Sequence, residues 1–273
     1  MITCAITGSN GVLGRRIKKI LPFKFYEFKK DIKNKKEVRK WILKKNFDII
    51  IHLAALVPIK NVNKDYQKAY DINVKGSQYL VDSILKKKYK PRWFFYASTS
   101  HVYKLDKRFR KKSEKEKPIP HNKYGKTKLL AEKLIKKKLQ NQTIKLCIGR
   151  IFSFTDKLQK QPFVVPSIID KIKISKKEVR FRNLNNYRDF LSTKDIVNAI
   201  DTLRKKNKSG IFNIGSGNHF NLKDIALLFS KNYKKKLIFV DSKKPTYLIS
   251  NNKKILKTKW KPSKLIKKIK YFY

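Results

Sequence analysis

Short apolar runs alternate with amphipathic stretches through the first half of this chain. Residues 2–7 and 93–98 are almost wholly apolar or aromatic, and 25–28, 47–53 and 143–150 repeat the pattern. Short runs rich in Ile, Phe and Tyr, with little polar alternation, fit strands covered on both faces. Between them, apolar and small residues recur three and four apart, which predicts helices over 12–20, 35–45, 64–87 and 124–138. Ala69, Asn73, Gly76 and Leu80 share one face of the third of these, so the Asn73 amide is expected to be buried and to need a partner. Strands and helices alternating in this way predict an α/β fold with a doubly wound parallel sheet.

Beyond residue 150 the pattern loosens. A helix is expected over 163–174, strands over 178–182, 210–214 and 237–240, and a short basic helix from 265 onward. Thr193 reads as the N-cap of a helix through 203, and Asn221 as the cap of another, with Asp224 at its third position. The charged stretch 104–117 reads as a solvent-facing loop. Residues 1–150 therefore predict one α/β domain, and 151–273 a small C-terminal lobe with segments returning to the core.

Composition narrows the class. Apolar content of 41% over 273 residues supports a folded globule. The formal charge of +51 arises from 70 basic against 19 acidic residues. Lysines fall on nearly every expected surface segment and form no separate tail, so loose attraction to polyanions is expected and specific nucleic-acid binding is not. Cys4 and Cys147 lie in expected core strands without metal-ligand spacing and read as reduced thiols. With no signal-peptide pattern and no apolar run of about 20 residues, the expectation is a cytoplasmic protein without membrane insertion.

Candidate chemistry sits where strands end. Gly8, Gly11 and Gly14 follow the first strand and open the first helix, a spacing that suits a tight turn, close backbone approach to a pyrophosphate, and close helix packing. The second strand lacks a carboxylate at its end. Lys29 and Lys30 stand there instead, and with Arg15 and Arg16 they could accept a 2′-phosphate; Asp31 is the nearest acid. Ala54-Ala55 leave room for a dinucleotide after the third strand, where His52 is expected to pack rather than react. Ser98, Thr99 and Ser100 place hydroxyls at the end of the fourth. Tyr124 and Lys128 lie one helical turn apart on one face, and an ammonium beside a phenol is expected to pull its pKa down towards neutral.

In this order and spacing the motifs resemble the extended short-chain dehydrogenases/reductases, in the NAD-dependent epimerase/dehydratase branch acting on nucleotide sugars. The matching residues are Gly8-x-x-Gly11-x-x-Gly14, Leu53-Ala54-Ala55, Asn73, Ser98 through Tyr103, Tyr124-x-x-x-Lys128, Arg188-Asp189-Phe190, Asp195-Ile196, Phe212 through Gly217 and Trp260-Lys261-Pro262. The resemblance implies a Rossmann-type fold that binds NADP or NAD through Gly8, Asn10, Gly11, Val12, Leu13, Gly14, Asp31, Ile32, Leu53, Ala54, Ala55, Asn73, Tyr124 and Lys128. It implies Thr99, Tyr124 and Lys128 as catalytic residues. Ser98, Thr99, Ser100 and Arg188 become substrate contacts, with Arg188 clamping a nucleoside diphosphate. The family's 4,6-dehydratases carry Asp-Glu directly after the active-site threonine, where this chain has Ser100-His101, and that argues against elimination. Phe152 replaces an asparagine common in the family and alters the expected sugar contacts. The reading that results is a reductase of a 4-keto-deoxysugar nucleotide. Alternatives are a 4-epimerase and a non-catalytic RNA-binding or structural protein on the same fold. Family members commonly pair through two helices, here 64–87 and 124–138, which implies a homodimer.

Overall fold

A computed structural model describes residues 1–263. Its central sheet has six strands in the order Gly210–Ile214, Lys145–Ile151, Trp93–Thr99, Ile49–His52, Thr3–Thr7, Lys24–Phe28, every pair parallel. From Thr3–Thr7 the chain steps outward to one edge and then returns to build the other side from Ile49–His52. Ligands of open α/β sheets bind beyond the strand ends at such a reversal.

Consecutive strand residues feed opposite faces. Ile6, Ile51 and Phe95 pack with the helices Val12–Ile20 and Thr193–Lys205, whereas Ala5, Ile50 and Phe94 pack with Lys35–Leu43, Gly76–Leu85 and Lys123–Leu139. A smaller cluster forms in the C-terminal half. The helices Val164–Ile174 and Leu222–Tyr233 cover the parallel pair Glu178–Arg182 and Lys236–Val240.

Three features depart from the sequence expectations. The helix expected over 64–87 is broken into Ile59–Lys64, Tyr66–Tyr70, a wide π turn Asp71–Lys75, and Gly76–Leu85. Asp65 causes the first break, because its side chain caps the second segment through the Lys68 N–H at 2.8 Å. The cap of Thr193–Lys205 is Ser192, which forms a capping box with Asp195; Thr193 donates its hydroxyl to buried Asp156 instead. The stretch 104–117 is not simply a solvent loop. Lys111–Lys112 pairs with Tyr247–Ser250, and Lys112 is buried with its ammonium 2.6 Å from Asp106. The expected basic helix from 265 lies outside the described residues.

One buried polar network fastens the helix Lys123–Leu139 to the sheet. Arg150 donates from Nε and Nη2 to the two oxygens of Glu132 at 3.1 and 2.8 Å, and from Nη1 to the Tyr103 hydroxyl at 2.9 Å. Tyr103 in turn donates to Asn213 on the edge strand at 2.8 Å. Burial works against the Arg150 charge, but the Glu132 carboxylate outweighs it and holds the guanidinium above its ordinary range. Glu132→Ala strands that guanidinium without a counterion and is expected to cost about 3–5 kcal/mol of stability, measured by denaturant unfolding.

Outside this core the surface is a lysine coat. Lys35, Lys36, Lys40, Lys44 and Lys45 are exposed on one outer helix and its end, and Lys133, Lys136 and Lys137 on another. Among the described residues no helix is long and apolar enough to cross a membrane.

Candidate active site

The glycine loop is built by close approach. Gly8 has φ +70°, and a Cβ there would lie 2.7 Å from the Ala54 nitrogen and 2.8 Å from the Leu53 carbonyl carbon. A Cβ on Gly14 would lie 2.5 Å from the Gly8 oxygen, so the helix Val12–Ile20 starts directly against the loop. Gly11 caps that helix with no side-chain hydrogen bond. The free N–H groups of the first turn therefore suit a diphosphate, and the residues present fit a dinucleotide. Asn10 is exposed beside this turn, and Val12 and Leu13 are half-buried within it.

Behind the cradle a relay of hydrogen bonds fixes the third strand. Thr7 Oγ1 accepts from the Ala54 N–H at 3.2 Å and lies 2.6 Å from His52 Nδ1; His52 Nε2 is 2.8 Å from Ser77, whose hydroxyl donates to the Asn73 carbonyl at 2.7 Å. Those roles put the His52 proton on Nε2, and burial holds the ring neutral, its pKa lowered to about 3. Asn73, carried inward by the π turn, accepts from the Leu56 N–H at 2.7 Å and donates to the Leu56 carbonyl and to Thr127. It thus ties the loop after the third strand to the Tyr124 helix.

Beyond the second strand, Ile32 is buried against Gly76, while Asp31 is exposed and accepts from the Lys33 N–H at 3.0 Å. Lys29 and Lys30 are exposed and so is Arg15. Arg16 is not available to a phosphate: its guanidinium makes two 2.8 Å contacts with the Asp156 carboxylate.

The hydroxyl and the phenol meet at the end of the fourth strand, and the Lys128 amine lies over the Tyr96 ring of the same strand, 4.2 Å from its centroid. Thr99 closes the strand and accepts from the His101 N–H at 3.3 Å, which leaves its own proton for the Tyr124 phenol. Asn122 caps the helix Lys123–Leu139 through the Gly125 N–H at 2.8 Å. A Cβ on Gly125 would lie 2.1 Å from the His101 carbonyl oxygen, so glycine lets the helix rest on the backbone of the turn Ser100–Val102. Tyr124 and Lys128 are both buried, at 8% and 1% exposure. Burial raises the Tyr124 phenol above its ordinary range despite the Thr99 hydrogen bond, opposite to the direction expected from the spacing. The reason is desolvation, which also pulls the Lys128 ammonium down to about 7, partly offset by Glu132.

The other candidates separate. Ser98 gives its hydroxyl to Glu132 and so serves the Arg150 network. Ser100 is buried in the turn. His101 accepts at Nδ1 from the Asn122 amide at 2.7 Å, stacks on His121 with centroids 4.7 Å apart, and meets the Tyr124 ring edge-on at 5.7 Å. His121 donates from Nδ1 to the Tyr103 carbonyl at 2.9 Å. Arg188 donates to the Tyr187 and Thr246 carbonyls at 2.8 Å and to the Thr246 hydroxyl at 3.0 Å. No carboxylate pairs with it among the described residues, and burial lowers it to about 10. Its charge reaches both histidines. The neighbouring Asp189 anchors this corner by accepting from the Ser216 and Gly217 N–H groups at 2.7 and 3.0 Å. Sequence reasoning missed Glu132, Asn122 and His121; the one available signal was Glu132 standing a helical turn beyond Lys128.

Residues 14–265 match the family model described as GDP-mannose 4,6 dehydratase. The chain belongs to the NAD-dependent epimerase/dehydratase family. A dTDP-D-glucose 4,6-dehydratase of Dictyostelium discoideum is 30% identical over 219 residues, 76% of this chain and 50% of that protein. The dTDP-4-dehydro-6-deoxyglucose reductase of Escherichia coli is 27% identical, covering 70% of this chain and 60% of its own. The chain spans about half the length of the dehydratases it matches. Among solved structures, RMD from Pseudomonas aeruginosa complexed with NADPH superposes with a TM-score of 0.85 at 19% identity, covering 96% of this chain and 94% of that one. The chain thus shares its fold with that protein, solved with NADPH, and with a Bacillus cereus UDP-glucuronic acid 4-epimerase variant solved with NAD.

Proposed function

We propose that this member is an NAD(P)-dependent reductase of a 4-keto-deoxysugar carried on a nucleoside diphosphate. The observation that carries the reading is the state of Tyr124, whose buried phenol is held protonated beside the Thr99 hydroxyl. A protonated phenol is the acid a ketone needs on reduction. Thr99 and Tyr124 would bracket the keto oxygen and share its developing charge; Tyr124 would then give up its proton, and Lys128, one turn along the helix, would stabilise the phenolate left behind. When bound, the nicotinamide supplies the hydride. Arg188, without an acid partner among the described residues, suits the substrate diphosphate.

Two features separate this reading from elimination. Ser100 and His101 stand where the dehydratases carry their acid pair. The Asn122 amide occupies His101 Nδ1, so Nε2 keeps the proton; burial lowers the imidazole to about 3, and the ring offers a donor and no base. Exposed Lys29, Lys30 and Arg15, with no carboxylate ending the second strand, favour NADPH.

The test is the absorbance spectrum of freshly purified protein followed by titration with NADPH and NADH. The expected result is an empty protein that binds NADPH reversibly, about tenfold or more tighter than NADH, the worth of one charge-assisted contact. It should also oxidise NADPH in the presence of a nucleotide-linked 4-keto-6-deoxysugar. Dinucleotide released only on denaturation would favour an epimerase, and no binding at all would overturn the enzyme reading.

A further inference from the structure

Lys128 is buried and has no carboxylate within ion-pair distance among the described residues. The groups that face it can be named element by element. On its own helix are Tyr124 and Glu132, the latter already shared between Arg150 of the neighbouring strand and the Ser98 hydroxyl. From the strand Ile49–His52 comes His52, a neutral ring. From Trp93–Thr99 comes Tyr96, whose ring centroid lies 4.2 Å from the Lys128 ammonium. We infer that Tyr96 is a positioning residue for the reaction, its ring face holding Lys128 in place and in the charged form.

The hydroxyl of Tyr96 takes no part in this role. It is fully buried and makes no hydrogen bond of ordinary geometry among the described residues. A phenol at that place pays for burial without a bond, whereas the adjoining Phe94 and Phe95 avoid the penalty. What the position does provide is a π face under a desolvated cation, and such contacts are strongest where water is excluded. The ring is itself fixed, because it packs 5.6 Å from His52, whose two nitrogens are both engaged. Tyr96 therefore acts on the Tyr124 phenol at one remove, through the ammonium that stabilises its conjugate base.

This inference rests on the functional reading above for the role of Lys128, and it is tested by binding rather than turnover. NADPH affinity is measured by fluorescence between about pH 6 and 10 for wild type, Tyr96→Phe, Tyr96→Leu and Lys128→Met. Wild-type affinity is expected to weaken as Lys128 loses its proton, and Lys128→Met to lack the transition. Tyr96→Phe keeps the ring and should hold the wild-type midpoint, while Tyr96→Leu should move it down by about one pH unit. Tyr96→Met fills the volume without a π face and should behave as leucine does, should the leucine variant not fold. A folded Tyr96→Leu or Tyr96→Met protein with an unmoved midpoint would overturn the inference, as would a transition that survives in Lys128→Met. Failure of wild type to bind NADPH at any pH would overturn the functional reading itself and the inference with it.

Discussion

Tyr124→Phe is expected to lower kcat by about 10²–10⁴-fold, the usual worth of a positioned general acid, while NADPH affinity changes little. The substitution removes one oxygen and leaves the ring that meets His101 edge-on, so the turn Ser100–Val102 keeps its support. Steady-state kinetics alongside fluorescence titration separate the two quantities. Comparable losses in kcat and in dinucleotide affinity would mean that the phenol serves binding and that the acid lies elsewhere. The direction of the pKa shift adds a second readout. Because burial raises the phenol, the protonated form persists through neutral pH, and any loss of activity towards alkaline pH belongs first to Lys128, which titrates near 7.

Gly125→Ala is expected to cost at least about 10²-fold in kcat/KM, although a single methyl is added and no reacting group is touched. That methyl would lie 2.1 Å from the His101 oxygen and 2.6 Å from its carbonyl carbon, both backbone atoms that cannot swing aside. Either the helix lifts or the turn yields, and both carry a proposed catalytic group: Tyr124 on the first, Thr99 at the start of the second. Overpacking of this kind also destabilises by about 1–3 kcal/mol, so a thermal melt accompanies the kinetics. Wild-type kcat/KM in a folded Gly125→Ala protein would show that the spacing of Thr99 and Tyr124 does not limit the rate.

The strands and the Tyr124 helix were legible because their signals are local: apolar runs, a 3.6-residue period, glycines at fixed offsets. Asn73 was legible for the same reason, as an amide on an otherwise apolar face. Other features depend on contacts between distant segments. The break at Asp65 comes from a side-chain cap that does not disturb the periodicity. Lys112 looked like one more surface lysine, and only its meeting with Asp106 and the strand Tyr247–Ser250 buries it. Ser98 and Thr99 are indistinguishable as neighbours in sequence, yet strand alternation turns the first towards Glu132 and leaves the second at the phenol. The sign of the Tyr124 shift was misjudged because spacing reveals a nearby charge but not the water taken from both groups.

The lysine coat divides labour between the exterior and the cleft. With charge distributed over the outer helices and the proposed catalytic groups buried within, the protein behaves towards small anions as a polyelectrolyte with its own counterion atmosphere. The proposed dianionic substrate would join that atmosphere before it meets any particular side chain, and at physiological salt the attraction fades over about 8 Å. Under the proposed reading, ionic strength governs how often the cleft is visited, and the buried set of Thr99, Tyr124 and Lys128 governs what each visit accomplishes.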